Sequence, residues 1–124
     1  MTQIAFIAAG GALGALLRFW MSQGVYTMLG RGFPYGTMSV NVFGSLLMGI
    51  LYVFLYERMN MNPEWRAALV IGLLGAFTTF STFSIETLNL IEASEHLKAF
   101  TNILLSVSLC LVACWFGMVM ARQI

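Results

Sequence analysis

Charge is what this sequence has least of. Of its 124 residues only 9% are Asp, Glu, Lys or Arg, six basic against five acidic, while 60% are hydrophobic. Water-soluble domains carry roughly 25% charged residues, and a small chain needs ample polar cover because its surface is large for its volume. A soluble domain is excluded. The formal balance of +1, with no cluster of Lys or Arg, also excludes nucleic acid as a partner, since neutralising phosphates takes grouped basic side chains. One histidine, His96, and two cysteines, Cys110 and Cys114, are too few for a zinc-type centre. The cysteines, four apart in an apolar run, read as small packing residues. Paired carboxylates, a Ser/His/Asp set and a phosphate-cradling loop are all missing, so an enzyme is not expected.

What the chain does have is apolar length. Mean hydropathy is +0.86, and apolar runs cover residues 4–29, 37–56, 67–91 and 99–121. A hydrocarbon core of roughly 30 Å takes about 20 apolar residues per helix. The expectation is a single all-α domain, residues 1–124, of four transmembrane helices in a lipid bilayer. The stretches 30–35, 57–66 and 92–98 hold the turn and polar residues, Pro34 and Pro63 among them, and read as short loops. Residues 1–3 lack the basic region of a secretory signal and the first run is too long for one, so no cleavage is expected. Arg58, Arg66 and Arg122 fall on one side, Arg31 and Lys98 on the other. So even a split leaves the insertion machinery little to choose by, and insertion both ways, hence antiparallel dimers, is expected.

Polar groups inside such spans are costly and mark the places to look. Gly10, Gly11 and Gly14 form a small-residue face suited to helix packing, and Arg18 follows one turn later. Thr37, Asn41 and Ser45 share one face of the second span. Asn41 there reads either as an interhelical hydrogen bond, worth about 1 kcal/mol, or as an amide lining a path. The fourth span has a similar face at Asn102, Ser106 and Cys110, with Ser108 beside it. The third span is the most informative. Thr78, Thr79, Ser81, Thr82 and Ser84 crowd five hydroxyls into seven residues, after Gly72 and Gly75 and before Glu86. Ser and Thr compete for backbone hydrogen bonds and Gly loosens a helix, so unwinding at mid-membrane is expected. Freed carbonyls at that depth can coordinate a cation. Phe80 and Phe83, three apart, offer ring edges that attract an anion, although such a pair is also ordinary packing.

Three motifs together resemble the Fluc/CrcB fluoride channel family: Gly10-Gly11-x-x-Gly14-Ala15-x-x-Arg18-Phe19, Gly36-Thr37-x-x-Val40-Asn41-x-x-Gly44, and Gly72-x-x-Gly75-x-x-Thr78-Thr79-Phe80-Ser81-Thr82-Phe83-Ser84-x-Glu86. They fall in the first three spans in the family's order. Ala76 stands where the family usually has a second Gly, and Asn102 where it often has Tyr. The resemblance implies an antiparallel homodimer in the bacterial cytoplasmic membrane, with two fluoride pathways along the subunit interface that passively export cytoplasmic fluoride. Carried over by motif, Phe80 and Phe83 line the pathway with ring edges, Asn41 supplies amide donors, and Ser81, Thr82 and Glu86 form a polar track, to which the hydroxyls of Ser106 and Ser108 are added. Gly75 and Thr78 would give backbone carbonyls to one structural sodium, and Arg18 an electrostatic or structural element near a vestibule. The chemistry agrees: fluoride is small and tightly hydrated, so its water must be replaced by hydrogen-bond donors without a fixed positive charge that would hold it.

Two other classes compete. A proton-coupled exporter resembling the small multidrug resistance transporters would need a carboxylate in the membrane, and Glu86 is the only candidate. A non-conducting membrane subunit would use the glycine faces for assembly alone, which leaves the hydroxyl cluster unexplained.

Overall fold

Apolar runs this long have no way to satisfy their backbone in lipid except as helices, and helices are what form. The computed structural model describes residues 2–58 and 60–124, and among the described residues there are no strands. Helix α1 spans Thr2–Leu29, and α2 spans Tyr35–Tyr52 and continues through a wider π-helical segment, Val53–Arg58. Helix α3 covers residues 63–77, with a second π-helical segment at Ala68–Leu74. Helices α4 (Phe80–Glu92) and α5 (His96–Gln123) complete the chain. Four stretches are long and apolar enough to cross a membrane: Thr2–Leu29, Tyr35–Arg58, Pro63–Glu92 and His96–Gln123.

Each stretch overruns its apolar core by a few residues. Hydropathy marks the part suited to hydrocarbon, whereas helical hydrogen bonding carries on through Glu57 and Arg58, Glu64 to Arg66, and Arg122. The connections shrink accordingly to 30–34 and 93–95; the loop expected over 57–66 includes Met59, which with Met1 lies outside the described residues. Gly30, at φ +84°, ends α1 by donating its N–H to Tyr26 O at 2.8 Å, a left-handed cap that glycine adopts without strain. Pro63 opens α3, where its missing N–H is harmless.

Two close helix pairs hold the molecule together, and glycine makes both. Helix α1 runs against the wide-turned part of α3. A Cβ at Gly10 would meet the Ala68 carbonyl, one at Gly14 the Leu73 carbonyl, and one at Gly72 the Ile7 carbonyl. Helix α2 runs against α5, where a Cβ at Gly49 would meet the Cys114 carbonyl and one at Gly117 the Leu46 carbonyl. Lipid is as apolar as the side chains, so helices associate in it by close backbone packing. Gly14→Val is therefore expected to destabilise the chain by about 3 kcal/mol or more, the upper end of overpacking, because the obstacle is backbone and cannot turn aside. A thermal melt in detergent checks this; an unchanged midpoint would contradict the packing described.

The bundle is tied at one end by Arg122, whose Nε and Nη2 meet Glu57 Oε1 and Oε2 at 3.2 and 2.8 Å, and by Arg58 donating to Arg122 O at 2.7 Å. At the other end Lys98 Nζ reaches Gly32 O at 3.2 Å. Between α3 and α4, Thr78 (φ −88°, ψ 158°) and Thr79 (φ −153°, ψ 114°) are extended.

Candidate functional site

The two extended residues put the backbone of Thr79 where a side chain from another helix can take it. Asn41 of α2 does so at both ends of its amide: Thr79 N–H donates to Oδ1 at 2.7 Å, and Nδ2 donates to Thr79 O at 3.0 Å. Thr79 in turn caps α4, its Oγ1 accepting from Thr82 N at 3.1 Å and donating to Thr82 Oγ1 at 2.9 Å. Two donors are thereby diverted from their helical partners. In a continuous helix the N–H of Thr79 would close on Gly75 O and that of Thr82 on Thr78 O. With those N–H groups given to Asn41 and to the Thr79 hydroxyl, the carbonyls of Gly75 and Thr78 lose their helical partners. Neutral carbonyl oxygens are suited to a hard cation. No group of three or more His, Cys, Asp or Glu stands together among the described residues.

Beside this clamp lies a groove of about 390 Å³, lined by Asn41 and Ser45 of α2, Thr78, Thr79, Phe80 and Phe83, and Ser106, Cys110 and Cys114 of α5. No Lys, Arg, Asp or Glu lines it. The Phe80 and Phe83 rings sit 5.4 Å apart, tilted by 44°, and Phe80 is 76% exposed. A hydrogen-bond series from α5 ends on the Phe83 backbone carbonyl. Ser106 Oγ donates to Asn102 Oδ1 (3.1 Å), Asn102 Nδ2 to Thr87 Oγ1 (2.9 Å), and Thr87 Oγ1 to Phe83 O (2.7 Å). Asn102, 2% exposed, thus joins α5 to α4 from within the bundle. Burial of an amide is tolerable there because both ends of it are bonded.

Not every candidate faces the groove. Ser108 is exposed and points elsewhere, two residues from Ser106 and so on another side of α5. Ser81 is exposed, 3.4 Å from the Thr79 hydroxyl. Thr82 and Arg18 share a smaller hollow of about 170 Å³ with Ser22, Thr37 and Thr79, and Arg18 forms no ion pair with the described residues. Glu86 stands in a third hollow of about 240 Å³ with Tyr26, Arg31 and Asn89. Tyr26 OH donates to Glu86 Oε2 at 3.1 Å and lies 3.5 Å from Thr37 Oγ1, while Glu86 Oε1 is buried with no hydrogen-bond partner among the described residues. Gly10 and Gly14 stand away from all three, in the contact between α1 and α3.

Two residues outside the expected pathway set link these hollows. Thr79 lines both the groove and the Arg18 hollow, and Tyr26 connects Glu86 to Thr37, which lines that same hollow. A polar series thus runs from Glu86 through Tyr26, Thr37 and Thr79 to Asn41. The hydroxyl cluster could have pointed to Thr79. Tyr26, in the last turn of the first span, stood in no such cluster.

The arrangement offers amide and hydroxyl groups, two phenyl rings and no fixed charge along one groove, an environment chemically compatible with a small ion. Comparison with known proteins is consistent with that. Residues 5–118 match the family model described as "CrcB-like protein, Camphor Resistance (CrcB)". A protein of Methylococcus capsulatus named fluoride-specific ion channel FluC is 58% identical over 95% of this chain, which spans about half (52%) of that protein's length. Proteins of the same name from Coxiella burnetii (48% identical, 98% of both chains) and Geobacter sulfurreducens (48%, the full length of both) match end to end. These relatives carry the name of a channel and not of an enzyme. With a family model covering most of its length and four helices able to cross a membrane, this chain is a multi-pass membrane protein and belongs to the CrcB-like family.

Proposed function

We propose that the chain is a passive, fluoride-selective channel that exports cytoplasmic fluoride across the bacterial cytoplasmic membrane and so relieves fluoride toxicity. It works as an antiparallel homodimer with the pathways along the subunit interface, and its third span is broken at mid-membrane at Thr78 and Thr79. The observation that carries the reading is the Asn41 clamp on Thr79, which holds an extended segment next to two ring edges in a groove without charged side chains.

Asn41 keeps its second Nδ2 hydrogen after bonding Thr79 O, since an amide nitrogen has two, and the Ser45 hydroxyl in the same groove has no hydrogen bond to the described residues. These donors, with the ring edges of Phe80 and Phe83, replace water around a fluoride ion. Ser106 contributes differently: its proton is committed to Asn102, so it acts by supporting the Asn102–Thr87 link between α5 and α4. With no Lys or Arg in the groove the ion is held weakly enough to leave. Ser81, Thr82 and Glu86 continue the polar track beyond Thr79, and Arg18 sets the potential in the hollow beside it; Ser108, turned away from the groove in one chain, would join the pathway only through a partner.

The donor set at Gly75 and Thr78 fits a sodium ion, because both carbonyls have lost their helical donors and a Cβ at Gly75 would find open space beyond an ordinary contact with Val70 O. Two carbonyls from each subunit would hold it. Once bound, the ion would supply the positive charge that offsets carbonyl dipoles gathered in a low-dielectric interior.

The exporter alternative rests on Glu86, whose Oε2 is already bonded to Tyr26. Expression in a fluoride-sensitive bacterium separates the two readings. Growth is expected to be restored on fluoride and unchanged on quaternary ammonium compounds; resistance to the amines without resistance to fluoride would overturn the channel.

A further inference from the structure

Cys110 and Cys114 are read from sequence as packing residues, yet neither is packed away. Both are free thiols, half-buried, and both line the groove. At i and i+4 they occupy one face of α5, with Cβ atoms about 5–6 Å apart. A third sulfur joins them. Met48 of α2 lines the same groove, and the next residue, Gly49, is where α2 touches the Cys114 carbonyl, so the thioether stands at the level of Cys114. Met48 lies about 10 Å along α2 from Asn41, at 1.5 Å per residue.

We propose that Cys110, Cys114 and Met48 form a binding site for a soft, thiophilic metal cation. Thiolates and thioethers select soft ions where carbonyls and hydroxyls select hard ones, and no lysine or arginine lines the groove to repel a cation. With Hg²⁺ as the probe, each thiol loses its proton to water and two S–Hg bonds form, so one Hg²⁺ releases two H⁺. The Met48 sulfur adds a neutral, weaker contact. The reach of one helical turn suits a two-thiolate bridge, and side-chain rotation at each Cys closes the remaining distance.

The consequence for transport rests on the channel reading: a metal seated there obstructs the groove that Asn41, Phe80 and Phe83 share. The test uses the purified full chain in chloride-free buffer, read by intact mass and by proton release on Hg²⁺ addition. One Hg²⁺ per chain, two protons released and both thiols protected from alkylation are expected. Cys110→Ser and Cys114→Ser each weaken binding at least about 100-fold, since even outer-shell partners of a metal are worth about 10–100-fold. Two Hg²⁺ per chain bound independently, or single-Ser variants that bind as tightly as the parent, would overturn the site. Fluoride efflux from liposomes is measured on the same preparations. Metal bound with flux undiminished leaves the site standing and counts against the groove as the pathway; flux blocked in the parent and unblocked in Cys110→Ser supports both.

Discussion

Asn41→Asp is expected to lower fluoride efflux by about tenfold or more and to cost about 1–3 kcal/mol of stability. The stability term comes from the clamp. Asp keeps an oxygen to accept from Thr79 N–H but sets a second one against Thr79 O, where Nδ2 now donates at 3.0 Å. A carbonyl deprived of its donor in the interior loses about that much. The flux term comes from charge, because an ionised carboxylate in a groove that has none repels an anion and removes the spare N–H that would meet it. Each 1.4 kcal/mol or so added to the path slows passage about tenfold. A detergent melt and a liposome efflux assay read the two effects separately. Unaltered melting with full flux would remove Asn41 from both roles.

Phe80→Ile and Phe83→Ile are each expected to cut flux by about fivefold to tenfold, with less effect on folding than Asn41→Asp. An aromatic contact of this sort is worth about 0.5–1.5 kcal/mol, and Ile keeps the apolar bulk while removing the positive edge. Phe80 is the cleaner probe. At 76% exposure its ring contributes little to the packing of one chain, so a change in flux reports on the ion path. Phe83 also carries the backbone carbonyl that ends the Ser106–Asn102–Thr87 series, but that link survives a side-chain replacement. Full flux in both variants, with oligomeric state unchanged by gel filtration, would remove the ring edges from the pathway.

How far the sequence alone could reach is clear from particular residues. The four membrane-length helices follow from hydropathy, which depends only on local composition. The unusual backbone at Thr78 and Thr79 lies where five hydroxyls and two glycines undercut helix propensity. What local pattern does not reveal is the partner of each polar group. Asn41 and Thr79 are 38 positions apart, so the amide's commitment to backbone could not be read, and it leaves Asn41 one donor for an ion instead of two. Tyr26 and Glu86, 60 apart, are the same case. Asn102, noted in sequence chiefly for standing where the family often has an aromatic, is a buried link between α4 and α5. Ser108, expected beside the Asn102, Ser106 and Cys110 face, does not line the groove of a single chain. Two residues on from Ser106 is about 200° around a helix of 3.6 residues per turn, and periodicity alone turns it away. The π-helical segments, by contrast, have no composition to announce them.

The central claim is that fluoride passes and chloride does not. The most direct measurement is fluoride efflux from liposomes holding the purified protein, followed with a fluoride-selective electrode while a potassium ionophore relieves the charge left behind, with chloride efflux as the paired control. The account predicts rapid fluoride release that requires the ionophore and no matching release of chloride. Equal release of both ions, or no fluoride release from correctly assembled protein, would contradict it.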